Sequence, residues 1–338
     1  MPKSIIGGWR AFSLLKQAAI ATAQPIATRV NYEGEPAEPG IANHYVNDNE
    51  VNGELLPTDH RILNKKLEFK HKTKAFPHVV GLFASMAMGK DTSTAIGATL
   101  AYKHKIEIDK DIVELPYRTM VENDGDTQKV FPGIACVGFT LSGQRDGFVE
   151  FEADLVGRGG EAVDATAKPP TAAETYLCYQ DVTLTKGGAY DGTTVTGGTP
   201  IHAEVKSFKF AFKNGGKGVY FLGDGTGLIA QVRRGGNKYT VEFEAEIELE
   251  DQSHRTDLLG GAEFVLHMPI VGGLANGTAR YTVEVILPRA IYREVKKGVD
   301  DGILKVACKF GVLSDPVHGG LIINVINLQQ ASYLAAAA

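Results

Sequence analysis

FPGIACVGFTLSGQRDGFVEFEADLVGRGG, Phe131 to Gly160, is the stretch on which the reading of the whole chain turns. In its first part Ala135, Val137, Phe139 and Leu141 fall on one face, with Ile134, Cys136, Gly138 and Thr140 on the other. In its second part Val149, Phe151, Ala153 and Leu155 alternate with Glu150, Glu152 and Asp154. A side-chain period of two belongs to a strand with one face in a core and one in water. Ser142 to Gly147 between them is polar and glycine-bounded, the composition of a turn. The stretch reads as a β-hairpin with one apolar and one acidic face.

The same alternation recurs on either side of it. Tyr239, Val241, Phe243, Ala245, Ile247 and Leu249 alternate with Thr240, Glu242, Glu244, Glu246, Glu248 and Glu250, and Phe208, Phe210 and Phe212 alternate with Ser207, Lys209 and Ala211. Lys66 to Thr73, Leu100 to Ile108, Ile112 to Val121, Val265 to Ile270, Arg280 to Pro288, Ile303 to Val312 and Leu321 to Leu328 complete the strands. Two segments break the pattern. Ala75 to Gly89 has helical spacing of Phe76, Val79, Val80, Phe83 and Ala87, with Thr73 placed to cap, Pro77 in the first turn and Gly89 at the end. Ser253 is placed to cap a short helix through Leu258, Leu259 and Ala262. The acid rows would repel one another if desolvated, so their faces meet water, on the outside of a globule or along a water-filled passage.

Set side by side, the halves run strand, helix, strand, strand, strand. Lys66–Thr73, Ala75–Met88, Leu100–Ile108, Ile134–Leu141 and Phe148–Val156 are answered by Tyr239–Glu250, Ser253–Phe264, Tyr281–Leu287, Leu304–Val312 and Leu321–Leu328, roughly 175 residues later. Gly157 to Thr175 loses periodicity and gains Gly, Ala and Pro, which marks a linker. The expected organisation is an N-terminal arm at 1–30, a first β domain at 31–160, a linker at 161–178, a second β domain at 179–330 and a tail at 331–338. The arm is expected to be extended, with a short helix near Phe12 to Ala21, and to reach a neighbour. The fold class is α+β, mainly β: two tandem antiparallel sandwich-like units, each covered by one helix.

Composition excludes several functions. Apolar residues make up 43% and charged ones 22%, ordinary for a globular protein, and a net charge of −5 argues against a general nucleic-acid binder. Cys136, Cys178 and Cys308 are odd in number and far apart, which supports neither a disulfide framework nor a metal site. No run of eighteen apolar residues provides a transmembrane helix, and Lys16 and Gln17 interrupt the only segment resembling a signal peptide. Gly223 to Gly227 lacks the spacing of a dinucleotide fingerprint, and Met88-Gly89-Lys90-Asp91 lacks the glycine loop of a phosphate site. Glu150 and Glu152 share one strand face, whereas a glycosidase pair flanks its substrate from opposed elements. Asp59 and His60 are adjacent and diverge in a strand. The expectation is a protein that is not an enzyme and has no cofactor or metal.

Phe131 to Leu141, the glycine turn and Phe148 to Gly157 together resemble the glycine–strand–turn–strand–glycine segment of the major tail tube proteins of long-tailed bacteriophages. Phe76 to Gly89 is similar to the helix before that family's first long strand. Lys206 to Asn214 is similar to the start of its second half, and Val283 to Pro288 to its late strand. The resemblance runs from about Leu55 to Leu328. It implies a structural virion protein of the tail, assembled in the host cytoplasm, whose sheets join into rings around a hole and whose rings stack into a tube for genome passage. It also implies the tape measure and terminator proteins as partners, with DNA passing without specific binding and no membrane insertion. Single-unit members form sixfold rings, so a doubled chain suggests a trimer with pseudo-sixfold symmetry. The alternative is a hexamer with the second half outside. Glu150, Glu152 and Asp154, or Glu242, Glu244, Glu246 and Glu248, are the expected channel-facing residues. Trp9, Phe12, Asn47, Asp48 and Asn49 are the expected contacts between rings. The competing function is a surface β-sandwich module binding glycans or a host surface.

Overall fold

The computed structural model describes residues 9–14, 16–23, 29–32, 40–47, 60–123, 128–160, 162–163, 175–201, 205–221, 226–236, 239–248, 253–300 and 303–335. The first half holds β1 (Trp9–Ser13), β2 (Arg29–Tyr32), β3 (Gly40–Asn47), β4 (His60–Lys74), α1 (Pro77–Met88), β5 (Gly89–Ala95), β6 (Tyr102–Ile108), β7 (Arg118–Asn123), β8 (Gln128–Gln144) and β9 (Glu150–Gly157). Five two-residue strands follow in the approach to the second half: β10 (Ala162–Val163), β11 (Thr185–Lys186), β12 (Ala189–Tyr190), β13 (Val195–Thr196) and β14 (Thr199–Pro200). That half holds β15 (Val205–Lys213), β16 (Lys217–Val219), β17 (Gln231–Arg233), β18 (Thr240–Glu248), α2 (Ser253–Gly260), β19 (Glu263–Asn276), β20 (Ala279–Asp300), β21 (Ile303–Val312) and β22 (Ile322–Asn327). The chain is mainly β and antiparallel, as the alternation requires.

Eight strands lie side by side in the order β3–β4–β9–β8–β15–β18–β21–β20. The first four come from the first half and the last four from the second. Their internal order is the same: β3 answers β15, β4 answers β18, β9 answers β21 and β8 answers β20. The correspondence extends to an irregularity. Between Cys136 and Gly138, opposite Leu155 and Asp154, β8 carries a bulge, and β20 carries one between Tyr292 and Glu294, opposite Phe310 and Lys309. A bulge adds one residue to one strand and bends it, which lets a long strand leave one sheet for another. Both strands do so. The early part of β8 joins β2–β1–β7, and the early part of β20 joins β19 and β22.

This alignment corrects the strand-by-strand match read from the sequence. The duplicated unit is real in topology, but Ile134–Leu141 corresponds to β20 and Phe148–Val156 to β21, one strand earlier than expected. The bulge also shifts the face assignment. Cys136 points into the main core with Phe139 and Leu141, while Ala135 joins a smaller cluster with Leu115, Tyr117, Val156, Ile229 and Val232. The two halves are not separate globules. Residues Ser207 to Lys213 of β15 pair with Gln144 to Gly138 of β8, and one apolar cluster draws on both halves. Gly138 permits that junction, since a Cβ there would stand 2.8 Å from the Phe212 carbonyl oxygen.

A second sheet, β14–β11–β19–β20–β22–β6–β5, faces the first across α1. All twelve residues of α1 are buried, so this helix is a core element between layers and not a lid on one unit. Its N-cap is Phe76 with no side-chain cap bond, in place of the expected Thr73, and Gly89 ends it in the left-handed region at φ 90°. By contrast α2 buries only His254, whose Nδ1 lies 2.5 Å from the Tyr292 hydroxyl.

The N-terminal segment differs from expectation. Residues Trp9 to Ser13 form a strand paired with β7, and the described residues between Phe12 and Ala21 hold no helix. Gln17 explains why. Its side-chain carbonyl accepts from the Thr119 hydroxyl and the Gly133 N–H, and its amide donates to the Ala19 carbonyl at 2.6 Å. Such bonds to distant strands outweigh a few tenths of a kcal/mol per residue of helix propensity. Residues 331–335 of the C-terminal tail, unreadable in sequence, are also structured: Tyr333 is fully buried against His78 and His104.

Candidate functional site

The eight-stranded sheet has one face on the core and one open face, and the open face carries the acid rows. Its side chains come from alternate positions: Lys70, Lys72 and Lys74 on β4, Glu150, Glu152 and Asp154 on β9, Thr140 and Ser142 on β8, Lys209 and Lys213 on β15, and Glu242 and Glu244 on β18. Together they line an open cavity of about 890 Å³. Five adjacent strands can line one cavity on an outer face only if the sheet curves around it. The charged face is therefore concave and the core lies on the convex side.

Every acidic candidate faces this side, and Glu152, Asp154, Glu244, Glu246 and Glu248 meet lysines there. In the β4–β9 ladder Lys70, Lys72 and Lys74 stand opposite Asp154, Glu152 and Glu150. Lys70 Nζ lies 2.5 Å from Glu152 and 3.7 Å from Asp154, and Lys72 Nζ lies 3.6 Å from Glu152. On β18, Glu244 meets Lys309 at 2.8 Å, Glu246 meets Lys305 at 2.5 Å and Glu248 meets Lys206 at 2.5 Å. Burial pushes the Glu152 carboxyl up, yet Lys70 and Lys72 outweigh it and hold the group below the usual carboxylate range. The hydrogen bond to Glu152 likewise raises Lys70 above the ordinary lysine value. Lys74 instead sits 4.0 Å from the Phe148 ring centroid and 4.3 Å from that of Tyr176. The face is a set of parallel rows of opposite charge, where the acid strands alone suggested a purely acidic wall. The lysines were readable in Lys70-His71-Lys72-Thr73-Lys74, but only the β4–β9 register places them beside the acids.

The ends of the sheet matter as much as its face. Among the described residues β3 pairs with β4 alone, and the part of β20 beyond Tyr292 pairs with β21 alone. Among the described residues the eight-stranded sheet thus ends in an edge strand on each side, a template for pairing with another chain.

The expected ring-to-ring contacts divide. Phe12 is fully buried, meeting Phe83 edge-on at 5.0 Å and His71 at 5.1 Å, so it is a core residue of its own subunit and not an exposed contact. Trp9 opens β1 opposite Asn123, and Asn47 closes β3 opposite His60. Asp48 and Asn49 lie outside the described residues.

Against known proteins, the chain matches the family described as phage tail tube protein over residues 45–288. That span is most of the chain, running from β3 through the unit junction into β20. The chain belongs to the phage tail tube protein family. It is a structural component of the virion tail, and its concave face and paired units are to be understood as parts of a tail tube subunit. A search of curated proteins finds no match. No described helix is long and apolar enough to cross a membrane.

Proposed function

We propose that this tail tube protein assembles head to tail into a closed ring of three copies, with the concave charged face lining a channel for the genome. The observation that carries this reading is the β8–β15 junction. Within one chain, the last strand of the first unit already pairs with the first strand of the second. The equivalent strands at the two ends of the sheet, β20 and β3, are the uncovered edges. Repeating the internal junction between copies pairs β20 of one with β3 of the next. A closed ring of this kind leaves no edge strand exposed.

Three copies carry six units, the number that the family resemblance implies for single-unit members. In such a ring Glu150, Glu152, Asp154, Glu242, Glu244, Glu246 and Glu248 face the axis, together with the lysines beside them. Stacked copies of the ring, together with tape measure and terminator proteins, complete the assembly in the host cytoplasm. Trp9, Asn47, Asp48 and Asn49 are the remaining candidates for contact between rings. Leu100 and Leu274, 69% and 63% exposed, are added to them, because the Leu100 N–H bonds the Asn276 side chain and holds both at one end of the sheet.

Electron microscopy of concentrated purified protein tests the proposal. Rings or stacked tubes with a central hole and threefold-related copies are the expected result. Particles that stay single at all concentrations, or rings of six copies, would count against it.

A further inference from the structure

We propose that the carboxylates of the concave face act as masks for its lysines, so that the surface is a polyanion-binding face held in a neutralised state. The inference rests on the channel reading for its biological meaning, and on the ion pairs alone for its chemistry. Lysine rows on β4, β15 and β21 alternate with acid rows on β9 and β18. Glu244 stands between Lys209 on one side and Lys309 on the other, and Glu152 between two lysines of β4. The middle strand, β8, presents only Gly138, Thr140 and Ser142 between the rows.

The physical consequence concerns phosphate. A protein grips duplex DNA by replacing condensed counterions with lysine and arginine, and each such contact adds to the salt dependence of binding. A lysine that already has a carboxylate 2.5–2.8 Å away, as Lys70, Lys305 and Lys309 do, supplies no net charge to replace a counterion. Exposed pairs like these contribute little to stability. Their value lies in the potential of the face, which is near neutral over rows that would otherwise be strongly basic. DNA then meets a surface with hydrogen-bonding groups throughout and no site strong enough to stop it. A wholly acidic wall would instead repel DNA, and the structure does not have one.

The test uses purified full-length protein kept unassembled at low concentration, with a fluorescent duplex of about 30 base pairs as the probe, long enough for several phosphate contacts. The wild-type chain is expected to leave its anisotropy unchanged. The triple variant Glu152→Gln, Glu244→Gln, Glu246→Gln is expected to bind, and with about three phosphates neutralised to weaken roughly 40-fold between about 50 and 200 mM salt. Adding Lys70→Gln and Lys309→Gln to that variant is expected to abolish the binding gained. A control triple, Glu107→Gln, Glu114→Gln, Glu263→Gln, changes net charge equally but lies off this face, and is expected to stay inert. Circular dichroism verifies that each variant is folded. No DNA binding by the folded triple variant, or equal binding by the control, overturns the proposal. Because the assay needs no ring, it fails or succeeds separately from the assembly: rings with an inert triple variant would sink the masking alone.

Discussion

Replacing Tyr333 with alanine is expected to lower the unfolding free energy by about 3–5 kcal/mol, the range for truncating a large buried aromatic side chain. The side chain is fully buried. Its ring lies 4.7 Å from that of His104 and 5.3 Å from that of His78, and its hydroxyl accepts from Asn327 Nδ2 at 2.6 Å. The backbone is held as firmly. The Tyr333 N–H donates to Asp91 at 2.7 Å, the Ser332 hydroxyl donates to the same carboxylate at 2.9 Å, and the buried Arg118 guanidinium donates to the Tyr333 carbonyl. His104 Nε2 meets the Gln329 carbonyl at 2.7 Å. Gly81 of α1 makes room for the ring, since a Cβ there would lie 2.6 Å from it. The C-terminal segment thus ties α1, β5, β6 and β7 together. Urea unfolding checks the expectation through a lowered midpoint at an unchanged slope. A change under about 1 kcal/mol, the size typical of a surface substitution, would mean the segment is not packed this way.

A proline at Lys297 is expected to abolish ring formation while leaving the subunit folded. The direction of its N–H follows from the internal junction. The Asn214 N–H donates to the Val137 carbonyl at 3.0 Å and the Arg145 N–H to the Lys206 carbonyl at 3.1 Å. These bracket the ladder and set the odd-numbered residues of β8 as those whose backbone points at β15. Through the matched bulges, Leu141 of β8 corresponds to Lys297 of β20. The Lys297 N–H therefore points outward, away from β21, where proline removes nothing from the chain's own ladder. In the ring it would leave the neighbour's acceptor unpaired at every junction, at about 1–3 kcal/mol each, and put a pyrrolidine ring between the strands. Lys296→Pro is the contrast, because that N–H points at β21 and its loss destabilises the subunit itself. Gel filtration and thermal unfolding separate the two: Lys297→Pro should give a stable single subunit. Normal rings from this variant would refute the assigned edge.

What the sequence discloses is what alternation alone can encode. The hairpin of β8 and β9, the acid row of β18 and the glycine-terminated α1 were all legible, because each shows its period within its own residues. Features set by distant partners were not. The strand at Phe12 exists because β7 lies beside it, and nothing in Phe12 to Ala21 says so. The bulge after Cys136 adds one residue to a regular-looking run, which moves Cys136 to the other face without changing the text. The burial of α1 on all sides depends on a second sheet that joins β5 and β6, just after it, to β20 and β22 far along the chain. The lysine partners of the concave face had to wait for register, since Lys70 and Glu152 are 82 residues apart in the chain. Tyr333 was hidden by the alanines that follow it.

The most direct test is a disulfide placed across the proposed junction. Carrying the β8–β15 register to the free edges sets Ala42 of one copy opposite Glu294 of the next, as Lys213 faces Gly138 within the chain. The parity of the ladder makes this a non-hydrogen-bonded pair, with Cα atoms about 4.5 Å apart, inside the range a disulfide spans. Oxidised assemblies of the Ala42→Cys, Glu294→Cys variant should run on a non-reducing gel as a covalent ladder ending at three chains, and each single variant as one chain. Assembled material that gives no cross-link between copies would contradict the junction on which the ring depends.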